Sequence, residues 1–225
     1  MDLSTKEKLY EFLFSLLTEE RKELFENVLD YRTRHLTIVL ENIYQPHNAS
    51  AVLRSCDLTG IQDVHIIENN NKYKVNKDIA MGSAKWLNIN RYNEQKDNSL
   101  ETIKYLKKKG YKIVATTPHR ESFSPETLNI DTKTALIFGT ELGGLSDIAL
   151  ENADEYLKIP QYGFTESYNI SVSVALLLYT LVNRMHSSNI PWQLGDSEKL
   201  DIKLDWARRT IKRSDIIESE FLKNL

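Results

Sequence analysis

The sequence contains little of what builds disulfide-rich, zinc-binding or membrane-spanning proteins. Its 225 residues include one cysteine, Cys56, which excludes an internal disulfide and a multi-cysteine zinc site. Five histidines are scattered without ligand spacing to carboxylates, so no metal is implied. The longest apolar stretch, residues 174–182, has nine residues, whereas a bilayer span needs about 20. Charges begin at the N-terminus, and no cleavage site is visible, so we expect no signal peptide and a soluble, cytoplasmic protein without a membrane partner.

The sequence also lacks a large excess of charge of either sign. It has 29 Lys and Arg against 32 Asp and Glu, a net charge of −3 and a pI near 6.0. Proteins that coat nucleic acid through bulk charge usually have a pI above about 9, so this class is excluded. Recognition of RNA through a local basic patch is not excluded, because it depends on where the cations lie.

A candidate patch lies in a predicted C-terminal helix that starts near Asp201. Four cations fall within about 140° of one face of that helix, where they could contact phosphates: Arg208, Arg209, Lys212 and Arg213. The alternative is a solvated helix whose arginines pair with nearby carboxylates: Asp205, Asp215 and Glu218.

Apolar runs alternate with helical patterns through the middle of the chain. Hydrophobic residues make up 41%, enough to bury a core. Buried-strand runs occur at 36–40, 64–67, 112–116, 134–138 and 156–159, and helical patterns at 48–58, 100–109, 146–152 and 169–185. This order predicts an α/β fold, a parallel sheet with helices on both faces. We expect a helical extension over 1–35, the α/β domain over 36–186 and a second helical extension over 187–225.

Three loops that follow predicted strands carry polar residues that a plain connection does not need. In doubly wound sheets, ligands bind beyond the carboxyl ends of the strands. The helix that follows the first loop has one apolar face. Arg54 lies about 150° from the centre of that face, where it could bind a phosphate near the start of the helix. The alternative is that Asn48 is only the helix N-cap and Arg54 only pairs with Asp57.

The second loop is the glycine-rich segment GTELGGLS, residues 139–146. It lacks the lysine of a phosphate-binding P-loop, and Glu141 would repel phosphates, so a cationic ligand such as a sulfonium fits better. The alternative is a tight turn with a solvated glutamate. The third loop, IPQYGFTESYN at 159–169, is long and aromatic, as loops around a flat ligand often are. Its alternative is that Ser167 or Asn169 only caps the next helix.

Taken together, the three segments resemble the motifs of the SPOUT superfamily of RNA methyltransferases, and specifically the TrmH-type ribose 2′-O-methyltransferases. The first motif is similar to NASAVLRSC, the second to GTELGGLS and the third to IPQYGFTESYNISVSVALLLY. The resemblance covers residues 36–185. It implies a SPOUT fold with a C-terminal deep trefoil knot, S-adenosylmethionine as methyl donor, and a homodimer with its active site at the subunit interface.

The resemblance also assigns roles to individual residues. It implies a catalytic set of Arg54, Asn48, Glu141, Ser167 and Asn169. It implies a cofactor site formed by Thr116, Gly139, Thr140, Glu141, Gly144, Ile159, Pro160, Tyr168 and Asn169. Arg32 and His47 match RNA-contacting positions. Two positions depart from the family pattern, because Gln161 stands where methionine is usual and Tyr168 where leucine is usual.

Two roles for Arg54 follow from the resemblance and its chemistry. Arg54 would accept the ribose hydroxyl proton, or it would fix the neighbouring phosphate and stabilise the developing oxyanion. A guanidinium is hard to deprotonate, because its pKa lies above about 12. In this scheme Asn48, Ser167 and Asn169 hold Arg54 and the ribose, and Glu141 shapes the site near the sulfonium.

The RNA substrate is suggested by what flanks the core. About thirty-five residues precede the first strand, too few for a separate RNA-binding domain such as many rRNA enzymes carry. The layout of short terminal helices is similar to that of the tRNA enzymes that methylate guanosine-18 in the D-loop. Methylation of rRNA or of a tRNA wobble ribose is one alternative, and a non-catalytic RNA-binding or assembly factor is a second.

Overall fold

The computed structural model describes residues 1–74, 82–118 and 120–225. These residues divide into two compact units: residues 33–192, and residues 1–32 together with 193–225. The larger unit is an α/β domain, and the smaller one is helical, with both terminal segments in it. Over the described ranges, no helix combines the length and the apolar character needed to cross a membrane.

The larger unit is built on six strands: β1 (Leu36–Glu41), β2 (Asp63–Ile67), β3 (Asn88–Tyr92), β4 (Lys112–Thr116), β5 (Thr134–Phe138) and β6 (Glu155–Leu157). All pairings are parallel, in the order β3-β2-β1-β5-β4-β6. Every residue of β1 and β5 is buried, as expected for central strands covered on both faces. The predicted parallel α/β architecture is confirmed.

The edge strand β3 is an element that the sequence does not predict. Its segment NINRY has one aliphatic side chain, Ile89, and lies only partly buried beside β2. Hydrogen bonds to β2 hold it in register, because β2 would otherwise present unpaired backbone groups. Hydrogen-bond pairing with β2, rather than apolar periodicity, therefore explains why this segment forms a strand.

The α-helices of the described residues are α1 (Leu3–Ser15), α2 (Glu19–Leu29), α3 (Pro46–Leu58), α4 (Ser99–Lys108), α5 (Asp147–Glu151), α6 (Ile170–His186), α7 (Asp196–Thr210) and α8 (Ser214–Lys223). Helices α3, α4, α5 and α6 belong to the larger unit. Apolar side chains of α3 and α6 pack on one face of the sheet with Ile38 and Leu40. Those of α4 and α5 pack on the other face with Val39 and Ile137. Alternate residues of one strand thus serve opposite cores, which places α3 and α6 side by side on one face.

In the smaller unit, α1, α2 and α7 enclose an apolar centre that includes Leu9, Leu13 and Trp206. The rings of Phe25 and Trp206 meet edge to face, with centroids 5.3 Å apart. The guanidinium of Arg32 lies 5.4 Å from the Trp206 ring centroid, and Arg32 is only 1% exposed. The expectation that Arg32 contacts RNA does not agree with this burial, because the side chain is used in packing.

The C-terminal segment forms two helices rather than the single predicted one. The first, α7, starts at Asp196 and ends at Thr210, and Arg213 takes a left-handed conformation, with φ of 57°, before α8. The Ser214 hydroxyl donates to the Arg208 carbonyl at 2.7 Å, which stabilises the corner. The prediction that four cations share one helix face is therefore wrong, because Lys212 and Arg213 lie outside both helices.

Candidate active site

The three predicted loops meet at the carboxyl edge of the sheet, around the point where strand order reverses. Strands β2 and β3 lie on one side of β1, and β5, β4 and β6 on the other. The loop into α3 follows β1, the glycine loop follows β5, and the aromatic loop follows β6. A reversal of this kind leaves a crevice between diverging connections, the usual ligand position in α/β sheets.

A cleft of about 350 Å³ opens at this edge, within the range typical of small-molecule sites. Seven of the nine predicted cofactor-binding residues line it: Thr116, Gly139, Thr140, Glu141, Gly144, Ile159 and Tyr168. Ser167 and Gln161 line it as well. The structure thus brings together, around one cleft, the end of β4 and two of the three loops that the sequence analysis singled out separately.

Two of the predicted cofactor residues do not line the cleft. Pro160 is not among the residues that line the cleft, although its neighbours Ile159 and Gln161 are. Asn169 is also outside the lining set, and it caps α6, with its Oδ1 accepting from the Ser171 amide at 2.9 Å. Asn169 therefore caps the helix, but the alternative that it only caps the helix is wrong, because its side chain also donates to Asn48.

The cleft also has an apolar wall that the sequence analysis missed. Phe138, Leu157 and Leu177 contribute to it, from the ends of β5 and β6 and from α6. In the sequence these residues look like ordinary core positions, because their apolar periodicity fits a strand or helix facing the core. The last residue of a strand that runs into a ligand loop is the signal that could have found Phe138 and Leu157.

The glycine loop closes on itself beneath the cleft. Thr140 and Gly144 exchange two backbone hydrogen bonds, at 2.9 and 3.0 Å. A Cβ on Gly139 would lie 2.0 Å from the Gly144 carbonyl carbon, and Gly144 has a φ of 65°. Both positions therefore require glycine, the first for close backbone approach and the second for its left-handed conformation. This closed turn presents Thr140, Glu141 and Leu142 at the rim.

A hydrogen-bonded chain joins the three loops. The Asn48 amide Nδ2 donates to Glu141 Oε1, and Asn169 Nδ2 donates to Asn48 Oδ1 at 3.1 Å. Asn48 is the third residue of α3 and is 6% exposed, while Gln45 occupies the N-cap position. The alternative that Asn48 is only an N-cap is wrong. Glu141 is not simply a solvated glutamate either, since its carboxylate holds the Asn48 amide in place.

Arg54 and His47 lie on the outward side of α3. They are seven residues apart, so they share one helix face, and both are exposed. Among the residues that the structure describes, Arg54 has no hydrogen-bonded or ion-paired partner, so the pairing with Asp57 that was the alternative interpretation does not occur. An exposed guanidinium without a carboxylate partner retains its full capacity to bind an anion.

The C-terminal cations divide into two pairs. Arg208 donates two hydrogen bonds of 2.7 Å to Glu218, and Arg209 pairs with Asp205. The carboxylate pairing that the sequence analysis kept as an alternative is confirmed for these two arginines. Lys212 and Arg213 are exposed at the corner between α7 and α8. In the ranges described, no group of three potential ligands drawn from His, Cys, Asp and Glu is placed to hold a metal ion.

Residues 35–179 match the model of the SpoU rRNA Methylase family. The chain belongs to this family. It is similar to the tRNA (guanosine(18)-2′-O)-methyltransferase of Borreliella burgdorferi, with 45% identity over 92% of this chain and 93% of that protein. It is also similar to the enzyme of the same name from Thermus thermophilus, with 32% identity over 85% of this chain and 98% of that protein.

Solved structures of SpoU-family proteins share the fold. The TrmH/SpoU tRNA modifying enzyme of A. aeolicus superposes with a TM-score of 0.77 at 30% identity, over 87% of this chain and 98% of that one. A more distant SpoU methyltransferase from Streptomyces viridochromogenes, solved in complex with the cofactor AdoMet, superposes with a TM-score of 0.60 at 19% identity. That match covers 72% of this chain and 65% of that one, and it supports the fold alone.

Proposed function

We propose that this SpoU-family chain transfers a methyl group from S-adenosylmethionine to the ribose 2′-hydroxyl of guanosine-18 in tRNA. The observation that carries the proposal is the chain of hydrogen bonds from Asn169 through Asn48 to Glu141 beside the cleft, with Arg54 exposed on the same helix as Asn48. Three motifs of the family meet there in one site. Relatives with 45% and 32% identity over most of their length carry the corresponding enzyme name.

The cleft suits S-adenosylmethionine. Leu157 and Leu177 offer an apolar surface for a flat ring, and the backbone of the closed glycine loop is the part of the wall where ring edges can be hydrogen-bonded. Glu141 adds a carboxylate at the rim, which favours a cationic ligand over a phosphate. Thr116, Gly139, Ile159 and Tyr168 would hold the cofactor. When bound, it supplies an electrophilic methyl group on a sulfonium.

Arg54 acts on the RNA in this proposal. Its guanidinium is exposed and has no partner in the part of the chain that the structure describes, which both expected roles require. As an electrostatic group it would bind the phosphate next to the ribose and stabilise the developing oxyanion. As a proton acceptor it would first have to lose a proton, which guanidinium groups in proteins do not readily do. Asn48, Ser167 and Asn169 position the ribose and the helix that carries Arg54.

Among RNA substrates, tRNA is favoured by the extent of the similarity. The match to the Borreliella burgdorferi tRNA enzyme extends over 92% of the chain, beyond residues 35–179 that the family model covers. We accordingly place the protein where tRNA is modified, in the cytoplasm, and assign Lys212, Arg213 and His47 to RNA contact.

We also propose that the protein is a homodimer that joins through α6. Val172, Leu176 and Tyr179 follow one another at helical spacing and are exposed, with Tyr179 71% exposed. Helix α6 lies beside α3, so a partner seated on this face would lie next to the helix that bears Arg54. An exposed apolar stripe of this kind is typical of a protein interface.

The deep trefoil knot is the remaining structural proposal. Its support is the agreement with the A. aeolicus enzyme over 87% of the chain, together with two loops, after β5 and β6, that close around the same cleft. A crystal structure that traces the backbone continuously from residue 134 to residue 186 tests it. A traced backbone in which the chain does not pass through a loop of this segment would contradict the knot.

The function is tested by methylation of defined transcripts. The purified protein is incubated with labelled S-adenosylmethionine and an unmodified tRNA transcript, and the labelled nucleoside is identified after digestion. We expect label in 2′-O-methylguanosine at position 18. The matched control is the same tRNA with 2′-deoxyguanosine at position 18, which lacks the acceptor hydroxyl and should take no label. Label in rRNA or at position 34 would contradict the substrate, and cofactor binding without label on any RNA would favour a non-catalytic RNA-binding factor.

A further inference from the structure

A buried carboxylate lies next to the cleft but outside it. Glu41 is the last residue of β1 and is 2% exposed. Its Oε2 accepts from the Ser146 amide at 2.8 Å, and its Oε1 accepts from the Ser146 hydroxyl at 2.7 Å and from the Ser99 hydroxyl. Throughout the described ranges, no cation contacts it. Burying a carboxylate is costly, and here three hydrogen-bond donors offset the cost.

The main partner, Ser146, lies at the end of the glycine loop. It follows Leu145, which lines the cleft, and its hydroxyl accepts from the Ala149 amide as the N-cap of α5. The hydroxyl donates to Glu41 and accepts from the Ala149 amide, so these two hydrogen bonds together fix the orientation of the Ser146 side chain. Glu41 therefore fixes where the loop leaves the cleft.

The position of Ser146 affects the cleft, because the backbone of the glycine loop is too closely packed to adjust. Gly139 lies against the backbone of Gly144 and Leu145, at distances that allow no side chain. A shift of Ser146 would move Leu145 and Gly144 with it and open the Thr140–Gly144 pairing. Displacements of about 1 Å at a binding site are costly even when they originate outside it.

Glu41 is also held from the opposite side. Ser99 begins α4, and its hydroxyl accepts from the Asn69 side chain at 2.9 Å while donating to Glu41. Asn69 belongs to the loop after β2. The carboxylate thus connects the ends of β1 and β2 with the glycine loop after β5.

We propose that Glu41 is a positioning residue that holds the 139–146 loop in the conformation that binds the methyl donor. The ligand part of this inference rests on the function proposed above, whereas the effect on the loop does not. Glu41 touches neither the cleft nor the reacting atoms, so its action passes through Ser146 and Leu145.

The test compares Glu41→Ala with Glu41→Asp and with a matched control, Thr37→Val. Thr37 lies on the same strand, is fully buried and donates a hydrogen bond of 2.6 Å to the Asp63 carbonyl, so its loss also removes a buried hydrogen bond. It lies toward the other end of β1, about 13 Å from Glu41. The affinity for S-adenosylmethionine is measured by calorimetry, and amide hydrogen exchange is measured in the free proteins.

We expect Glu41→Ala to weaken S-adenosylmethionine binding about tenfold or more and to speed exchange of the Thr140, Gly144 and Ser146 amides. Glu41→Asp should fall between the wild type and Glu41→Ala, and it decides the question if Glu41→Ala does not fold. Thr37→Val should change neither quantity by more than about twofold. Unchanged exchange in the loop, or equal effects of Glu41→Ala and Thr37→Val, would overturn the inference. Failure of the wild type to bind S-adenosylmethionine would instead overturn the proposed function, and the exchange data would still decide the role of Glu41.

Discussion

At the scale of single residues, α3 places two polar side chains in opposite surroundings. Asn48 is buried and bonded to Glu141 and Asn169, whereas Arg54 is exposed and has no partner among the described residues. Six residues separate them, so their directions differ by about 120° around the helix. One helix therefore supplies a hydrogen-bonded group toward the cleft side and an exposed cation toward solvent, as the proposed binding of a cofactor and an RNA phosphate requires.

Replacing Arg54 tests the second of these groups. We expect Arg54→Ala to lower the methylation rate by about 10²–10³ or more, because the charge that meets the phosphate and the developing oxyanion is lost. Its affinity for S-adenosylmethionine should stay within about twofold of the wild type. Single-turnover methylation and calorimetry measure the two quantities, with Lys108→Ala, an exposed cation on α4, as the control. Normal turnover by Arg54→Ala would contradict both roles assigned to Arg54.

The hydrogen bond between Asn48 and Glu141 leads to a second prediction at the scale of single residues. Asn48→Asp replaces the amide donor by a carboxylate that faces the Glu141 carboxylate, so the two should repel each other and move apart. We expect weaker S-adenosylmethionine binding, by about tenfold, and slower methylation. Adding Glu141→Gln restores a donor and an acceptor at the same contact, and affinity should recover at least partly. Additive losses in the double variant would show that the contact does not matter for the cofactor.

At the scale of secondary-structure elements, some strands and helix ends depend on strand pairing and on contacts at corners rather than on the hydrophobic pattern of the segment. Strand β3 forms along the hydrogen-bonding edge of β2, and the corner after α7 is stabilised by Ser214 and Glu218, which both contact Arg208. The same corner leaves Lys212 and Arg213 exposed. These elements depend on partners elsewhere in the chain rather than on their own composition.

The buried histidine between β2 and β3 gives a pH dependence. His65 accepts or donates through Nδ1 to the Tyr92 hydroxyl at 2.8 Å, and burial lowers the pKa of His65 from 6.5 to about 4. Between these two values the unfolded chain binds a proton that the folded chain does not. The free energy of unfolding should therefore decrease as pH falls from 6.5 to about 4, by roughly 3 kcal/mol for this group.

Denaturant unfolding over that pH range measures the effect, with His65→Gln as the comparison. Glutamine keeps a polar contact for Tyr92 but does not titrate, and the other four histidines are common to both proteins. The difference between the two pH profiles isolates His65. Parallel profiles would show that His65 does not carry the effect.

The corner between α7 and α8 is tested by charge reversal. Lys212→Glu together with Arg213→Glu should weaken tRNA binding and reduce the slope of log affinity against log salt by about 1–2, as expected for the loss of about two phosphate contacts. Arg208→Gln is the control, because Arg208 is already paired with Glu218. Filter binding at several salt concentrations measures the slope. An unchanged slope would remove the corner from the RNA-binding surface.

At the scale of the whole molecule, the larger unit combines a cleft at the carboxyl edge of its sheet with an apolar stripe on α6. Both depend on the same face of the sheet, where α3 and α6 lie side by side. The cleft, helix α3 and the proposed interface are therefore neighbours in one unit. In the proposed homodimer, this proximity would let a second copy complete the active site.

The dimer is tested by placing charge on the stripe. We expect the wild type to have twice the chain mass of 26.1 kDa, and Leu176→Glu with Tyr179→Glu to be monomeric, because a partner would have to bury two carboxylates. Light scattering after size-exclusion chromatography measures the mass. Lys108→Glu, on α4, serves as the control and should stay dimeric. A monomeric wild type would rule out the homodimer.

The amino-acid sequence by itself determined the central strands, the helices around them and the three loops that hold the site. Strands β1 and β5 are continuous apolar runs because both their faces are covered, and this pattern is local to each segment. The residues expected at the site could be named because three segments of the chain resemble the motifs of a known family. Seven of the nine expected cofactor residues do line one cleft.

Only the tertiary structure decided which of these side chains meet. Asn48 is 93 residues from Glu141 and 121 residues from Asn169 in the sequence, and Glu41 is 105 residues from Ser146. A local sequence pattern cannot predict contacts between residues so far apart in the chain. The burial of Arg32 and the pairing of Arg208 with Glu218 have the same origin. Periodicity reports which face of an element is apolar, whereas the partner of a polar group depends on how distant elements pack, and that is settled only when the whole chain has folded.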